Sequence, residues 1–516
     1  MKTARDGFLS GSRTGITAGS DRRVGKEQRA TGHLNLFLCM AFLLGSNSIS
    51  AKAAEIYRSV YQYPPIAIEN VTVHTMSGDG ETLQNATVLI REGRITKIGA
   101  SQAVAVTDEF SRIDGTGKWL MPSLTDMHVH QFNARMLRLL TGSDCMTPDI
   151  FHHADLLFPY VANGILQLFN PAAMAEQIGL REQIEGGWLL APHIELAAMV
   201  DGSPPIWPPG FSHVAATPAD GRQFVRDAKA ASFQFIKTYT MLDPDTFDAI
   251  VDEARTAGLR VVGHIPGRSQ GGTARFFQEG FELVTHAEEY AYQASDIAEA
   301  EAAIPDYVEL ARRTGTPLVS TLTLNERIVE QMDGVDSLGS RVELRFLHPA
   351  VKALWINSNP YAHPEPDRAR RLKEVVNFNA KLVKAFADAG ITVLPGTDAG
   401  VPGVMPGFSL HDEMASLARA GLEPRTILVA ATRQAAEWLG VDADRGTVSS
   451  GKRANLLLLD ADPLEDIAHT RSIAAVIARG RYLPREELDE EMAAMAARYR
   501  DFAGTADKSC GVRVAQ

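Results

Sequence analysis

Two rhythms of apolar and polar residues divide the chain. In the first, Ile66-Ala67-Ile68-Glu69-Asn70-Val71-Thr72-Val73 alternates with period two, and Ala86-Thr87-Val88-Leu89-Ile90 follows. Arg91-Glu92-Gly93 reads as a turn, after which Arg94-Ile95-Thr96-Lys97-Ile98-Gly99 resumes the alternation. Short strands joined by hairpin turns predict part of a small β-sandwich. From about residue 121 apolar strand-like runs alternate with longer helical stretches. The runs fall at 164–169, 193–196, 235–239, 259–264, 283–286, 317–321 and 392–398, with helices predicted at 246–257, 302–314 and 376–389. Alternating β and α predicts parallel strands, here closed into an α/β (β/α)8 TIM barrel. Residues 443–482 return to β, with strands expected at Gly446-Thr447-Val448, at 454–460 and at 474–482. Domain termini tend to lie close together, so this segment is expected to complete the sandwich begun before the barrel.

The N-terminus carries a different pattern. Residues 34–46 form a short apolar run, preceded by Arg22, Arg23, Lys26 and Arg29 and followed by Ala51-Lys52-Ala53. Basic, apolar and A-x-A segments in that order predict a secretory signal peptide. The run falls short of the roughly 20 residues a membrane span requires. Cleavage near Ala53 or Ala54 leaves no membrane span, and places the mature protein in the periplasm or outside the cell. Asp21-Arg22-Arg23-Val24-Gly25-Lys26 faintly resembles a twin-arginine signal, although Gly25 stands where an apolar residue is expected. The expected organisation is therefore a signal peptide (1–54), a first sandwich segment (55–120), the barrel (121–442), a second sandwich segment (443–484) and a C-terminal helix and tail (485–516).

Composition narrows this picture in three ways. With 516 residues, 45% hydrophobic and 22% charged, the chain has room for one large barrel and a satellite domain. Of the net charge of -12, residues 1–54 contribute +5 from eight Lys/Arg against three Asp/Glu, which leaves -17 on the remainder. An acidic body repels phosphate backbones, so a small molecule is the expected partner and nucleic acid is not. The pattern leaves homo-oligomerisation open. The three cysteines, Cys39, Cys145 and Cys510, cannot form a disulfide scaffold once the signal is removed. A Cys145–Cys510 bridge after export and two separate thiols both stay open, the thiols being the simpler reading.

The candidate chemistry lies at strand ends. A strand ending in Thr125-Asp126-Met127-His128-Val129-His130 presents both imidazoles on one side, because side chains alternate along a strand. Lys237, His264, His286 and Asp398 each close a later apolar run. Lys237 and His264 are 27 residues apart and His264 and His286 are 22 apart, each close to one βα unit. Adjacent strands would then present the three side by side, at the barrel face where catalytic groups sit. Any one of these residues alone reads as a core histidine, a snorkelling lysine or a turn aspartate. Six candidate ligands in one order at strand ends point instead to a metal centre. Imidazole and carboxylate donors suit zinc.

In this respect the chain resembles the amidohydrolase superfamily, in its imidazolonepropionase-like and Xaa-Pro-dipeptidase-like branch, from about Ile66 to about Tyr482. Gly451-Lys452-Arg453-Ala454-Asn455-Leu456 and Pro406-Gly407-Phe408-Ser409-Leu410-His411-Asp412-Glu413 add to the likeness. The resemblance implies two divalent ions. His128, His130 and Asp398 would bind one, His264 and His286 the other, and a carboxylated Lys237 would bridge them. It also implies Asp398 as the proton-transferring catalytic residue in a hydrolase of amide, peptide or cyclic amide bonds. The chain departs from dipeptidase relatives at His264-Ile265-Pro266, where they often have His-Ala-Tyr. It departs from deaminase relatives at Gly267, where they have Glu. Ester, lactone or phosphotriester hydrolysis on the same site is an alternative, and so is a non-catalytic metal-binding barrel.

Substrate contacts are expected from loops. Tyr239 follows Lys237 by two and should face the same cavity. The separation of 112 positions from His286 to Asp398 implies an insertion around 324–375, with Trp355, Tyr361 and His363, suited to a lid. Pro204-Pro205-Ile206-Trp207-Pro208-Pro209-Gly210-Phe211 reads as a stiff apolar loop that could wall a pocket for an uncharged or aromatic group.

Overall fold

The computed structural model describes residues 63–78, 81–141, 151–207, 210–267 and 272–506. The expected signal peptide and all three cysteines lie outside the described residues. Before the barrel come β1 (Ile66–His74), β2 (Thr82–Arg91), β3 (Arg94–Ala100), β4 (Ser111–Asp114) and β5 (Trp119–Pro122). The barrel strands are β6 (Leu124–Asp126), β7 (Ile165–Asn170), β8 (His193–Asp201), β10 (Phe235–Thr238), β11 (Arg260–Gly263), β12 (Phe281–Thr285), β13 (Leu318–Val319) and β14 (Val393–Leu394). A two-residue strand, β9 (His213–Val214), pairs only with β8. After the barrel come β15 (Leu456–Leu459), β16 (Ile473–Ala478) and β17 (Arg481–Pro484).

The segments before and after the barrel meet as expected. β15 pairs antiparallel with β5, Leu458 opposite Leu120 and Leu457 opposite Met121. Hydrogen bonding then runs without a break in the order β17-β16-β15-β5-β1-β2-β3, with β4 on β1. Inward residues of this sheet, among them Ile68, Val88, Leu120, Leu456 and Ile477, form one apolar cluster. At the β2–β3 turn Glu92 and Gly93 both take positive φ, 51° and 75°, which suits a tight hairpin. The strand expected at Gly446-Thr447-Val448 is absent. Gly446 takes φ 90°, and a single backbone bond from Val448 to the Thr75 carbonyl (2.9 Å) replaces a ladder.

The barrel strands pair in parallel in the order β6-β7-β8-β10-β11-β12-β13-β14. Closure is made by the residues that follow β6 and β14. Met127 N–H donates to the Pro395 carbonyl (3.0 Å), Asp398 N–H to His128 (2.8 Å) and His130 N–H to Ala399 (2.7 Å). The barrel interior is filled by Met127, Phe169, Ala197, Phe235, Val262, Leu283, Val319 and Leu394, one from each strand or its extension, with Trp438 packed against them. Two positions beyond Phe235 and Val262 stand Lys237 and His264, so the period of the strand lifts them from this apolar layer to the barrel mouth.

The helices follow the expected sequence, with one difference. Pro244–Ala257 and Ile304–Thr314 match the predicted stretches closely, but the helix expected at 376–389 runs Pro366–Asp388. Pro366 occupies its first turn, where a missing N–H costs nothing, and so starts the helix ten residues earlier. The insertion between β13 and β14 is therefore helical throughout much of its length. Glu413, on the helix Ser409–Arg419, ties this insertion to the barrel. Its buried carboxylate accepts from the Ser320 hydroxyl (2.5 Å), Leu322 N–H (3.0 Å) and Thr323 N–H (2.7 Å). Glu413→Ala would strand all three donors away from water. A loss of about 3 kcal/mol or more is expected in denaturant unfolding, and Glu413→Gln should lose much less.

Candidate metal centre

His128, His130 and Asp398 all lie on the two chain segments whose hydrogen bonds close the barrel, so closure assembles the first half of the site. His128 Nε2 stands 3.3 Å from His130 Nε2, and Asp398 Oδ1 is 3.3 Å and 2.8 Å from those two nitrogens. One ligand atom from each residue lies within 4.8 Å of the others. Asp126, which the sequence reading did not single out, holds the seam. Its buried carboxylate accepts from His128 N–H (3.2 Å), Thr397 N–H (3.0 Å) and the Thr397 hydroxyl (2.7 Å). Its place two residues before His128 was the available signal.

The other three predicted ligands come to the same point. Lys237 Nζ is 3.5 Å from His128 Nε2. The His286 ring lies 4.4 Å from that of His128 and 4.9 Å from that of His264, centroid to centroid. His264 Nδ1 meets Glu289 Oε1 (3.0 Å) and the Thr240 hydroxyl (3.1 Å), and His286 Nδ1 meets the Thr321 hydroxyl (3.0 Å). Such partners fix the ring orientation and direct Nε2 inward. His264 Nε2 is buried and, among the described residues, has no hydrogen-bond partner. Glu289 also accepts from Ile265 N–H (3.1 Å), and is a second residue that sequence reasoning missed.

The backbone is unusual at this face. Asp398, His286 and Thr321 take φ of 60°, 80° and 46°, a conformation L-residues adopt at a cost. Gly263, at φ 134°, leaves room for the lysine. A Cβ there would meet the Thr238 carbonyl at 2.3 Å and Lys237 Cγ at 3.0 Å.

Burial and mutual charge set the protonation states. Burial, then the neighbouring Lys237 and imidazoles, hold His128 well below the ordinary histidine range. Burial and Lys237 do the same to His264, and burial outweighs the pull of Asp398 at His286. All three are therefore neutral and free to donate a lone pair. Burial also lowers Lys237 to about 8, against the pull of Asp398, Glu289 and Glu288. Burial alone would raise the Asp398 carboxyl, but the charge and hydrogen bond of His130, with the Lys237 amine, hold it well below the usual carboxylate range.

The centre opens into a cavity of about 620 Å³. Its walls include Phe132, Met136, Trp207, Phe211, Leu354 and Trp355, so both the proline-rich loop and the insertion reach it. Asp201, a third residue sequence reasoning missed, seats that loop. It accepts from Gly202 and Ile206 N–H (both 2.8 Å) and from Met241 N–H (2.7 Å). Tyr239 lines the cavity as expected, its ring 4.1 Å from that of His264, and its hydroxyl accepts from Trp207 Nε1 (3.0 Å). His363 is not among the lining residues. Its positive φ of 54° and its N–H bond to the Met332 carbonyl (2.9 Å) turn it aside, and Tyr361 lines the cavity instead.

Comparison with known proteins bears on the family and the fold. Residues 209–483 match the family model described as the amidohydrolase family. That span contains Lys237, His264, His286 and Asp398 and begins after His128 and His130. The chain is similar to imidazolonepropionase from Rubrobacter xylanophilus, 30% identical over 213 residues, which is 40% of this chain and 41% of that protein. It thus spans about two fifths of the curated relative it matches. Among solved structures, bottromycin amidohydrolase superposes with a TM-score of 0.66 at 20% identity, covering 86% of this chain and 93% of the other. A Xaa-Pro dipeptidase with methionine bound in its active site gives 0.60 at 18% identity, covering 81% and 100%. These likenesses establish the fold.

Proposed function

The chain belongs to the amidohydrolase family, and from that premise we propose that it is a metal-dependent hydrolase of an amide, peptide or cyclic amide C–N bond. The carrying observation is the convergence of His128, His130 and Asp398. Two imidazole nitrogens and a carboxylate oxygen within 4.8 Å of one another suit a cation placed among them. The unpartnered, buried His264 Nε2 asks for the same, with His286 beside it. His128, His130 and Asp398 would hold one divalent ion and His264 and His286 a second. The donor set suits zinc. A cationic lysine cannot lie between two cations, whereas a carbamate formed from CO₂ and the neutral amine of Lys237 can. Such ions lower the pKa of a bound water from 15.7 to about 7, which supplies a nucleophile at neutral pH.

The chain's own residues would do the rest. The Asp398 carboxylate takes the proton of the attacking water and passes it to the leaving nitrogen. Tyr239, whose oxygen already accepts from Trp207, keeps its own proton to donate to the substrate carbonyl oxygen. Trp207, Phe211 and Trp355 receive an uncharged or aromatic part of the substrate and keep water from it. Export fits the pattern of residues 34–54, and among the described residues no helix is long and apolar enough to cross a membrane. The test is metal analysis of the purified protein together with hydrolysis of a panel of N-acyl amino acids and aminoacyl amides. About two zinc per chain and turnover of at least one class are expected. A protein free of metal, unable to take it up and inert to the whole panel would overturn the reading.

A further inference from the structure

Two adjacent glutamates follow His286, and the structure uses them differently. Glu289 is engaged, holding His264 and the Ile265 N–H. Glu288 is equally buried, at 6% exposure, and lines the cavity beside the metal ligands. Its Oε2 is shut off from solvent and makes no well-formed hydrogen bond among the described residues, the Asn325 side chain only approaching the carboxyl. A buried acceptor left unmatched is costly. A group brought by the substrate would complete it, and that group must be a donor.

The surroundings narrow the donor to a cationic nitrogen. Asp398 and Glu289 line the same cavity as Glu288, so carboxylates crowd this wall. Arg371, which also lines the cavity, turns its guanidinium toward the Ser295 and Ala291 carbonyls (3.4 and 3.5 Å), and the Lys237 amine stands among the metal ligands, 3.5 Å from His128 Nε2. Tyr361 and Tyr292 line the cavity close to Glu288, and aromatic rings suit a cation. Glu288 follows the predicted ligand His286 by two residues and lines the same cavity.

We propose that Glu288 is a specificity-determining residue that binds a primary ammonium close to the scissile carbonyl, so that the preferred substrates are aminoacyl compounds with a free amine. This rests on the hydrolase reading above and adds the substrate class to it. The ammonium would donate to Glu288 Oε2 while the carbonyl faces the metal ligands. The apolar side chain would lie toward Trp207 and Trp355.

The test compares two metal-chelating probes that differ only in the amine, L-leucine hydroxamate and 4-methylpentanehydroxamic acid. Their binding to the metal-loaded full chain is measured by calorimetry. The wild type is expected to bind the amine-bearing probe at least about tenfold more tightly (1.4 kcal/mol). Glu288→Leu should abolish that preference while the plain hydroxamate binds as before, and the isosteric Glu288→Gln should reduce it. Metal content and melting temperature of both variants confirm that they fold. Equal affinity of the two probes for the wild type sinks the Glu288 assignment alone, as does a preference that survives Glu288→Leu. If neither probe binds and no metal is found, the hydrolase reading goes with it.

Discussion

Asp398→Asn is expected to lower kcat by about 10²- to 10⁴-fold, the range attributed to a positioned acid–base group, while bound metal stays near the wild-type level. Asparagine keeps the side chain's length and one oxygen donor, so the contact with His128 and His130 can survive. It cannot take the water's proton, because an amide oxygen is a far weaker base than a carboxylate. The wild-type group is suited to the task. His130 lies 2.8 Å away and, with Lys237, keeps the carboxyl ionised despite its burial. The measurement is steady-state turnover on whichever amide the wild type cleaves, paired with metal analysis of the same preparation. Near-normal turnover would remove Asp398 from proton transfer, and loss of metal would reassign it as a ligand only.

Lys237→Ala should be as damaging for a different reason. Lysine is buried at 1% exposure, with its amine 3.5 Å from His128 Nε2 and in the company of two further imidazoles. If its carbamate joins the two ions, alanine removes the bridge. Bound metal should then fall by about half or more and turnover to background. The truncation leaves a space bounded by Gly263, where a Cβ would have met Lys237 Cγ at 3.0 Å. A small carboxylate such as acetate or propionate fits such a space and presents the same two oxygens. Its addition with zinc should restore part of the activity in Lys237→Ala and none in Asp398→Asn. A Lys237→Ala protein with full metal content and unchanged turnover would show that the lysine bridges nothing.

The barrel was legible because its strands are apolar on both faces and its helices are long, so the change of rhythm near residue 121 stands out. The six strand-end residues were legible because polar groups at the ends of apolar runs are few. Gly446-Thr447-Val448 misled because a β-branched run looks extended wherever it occurs. Whether such a run finds a strand to pair with depends on the surrounding fold. His363 misled because it sits in the insertion beside Tyr361 and Trp355, and nothing local says which of the three side chains turns inward. Asp126, Asp201, Glu289 and Glu413 were missed for a shared reason. Each is a carboxylate that matches backbone or side-chain donors from other segments, and those partners are invisible along the chain.

The linear order of residues determined which groups could serve: period two carries Lys237 and His264 one step above an apolar layer, and sets His128 and His130 on the same side of their strand. Tertiary structure alone decided that these groups share one point. The hydrogen bonds that close the barrel run between His128 and Asp398 themselves, 270 residues apart in the chain, and so bring an imidazole and a carboxylate together across the seam. It also decided which of two neighbouring glutamates is satisfied, since Glu289 finds His264 after another strand and Glu288 Oε2 makes no well-formed hydrogen bond among the described residues. A side chain's direction follows from its own strand, but its partners come from strands that only folding brings near.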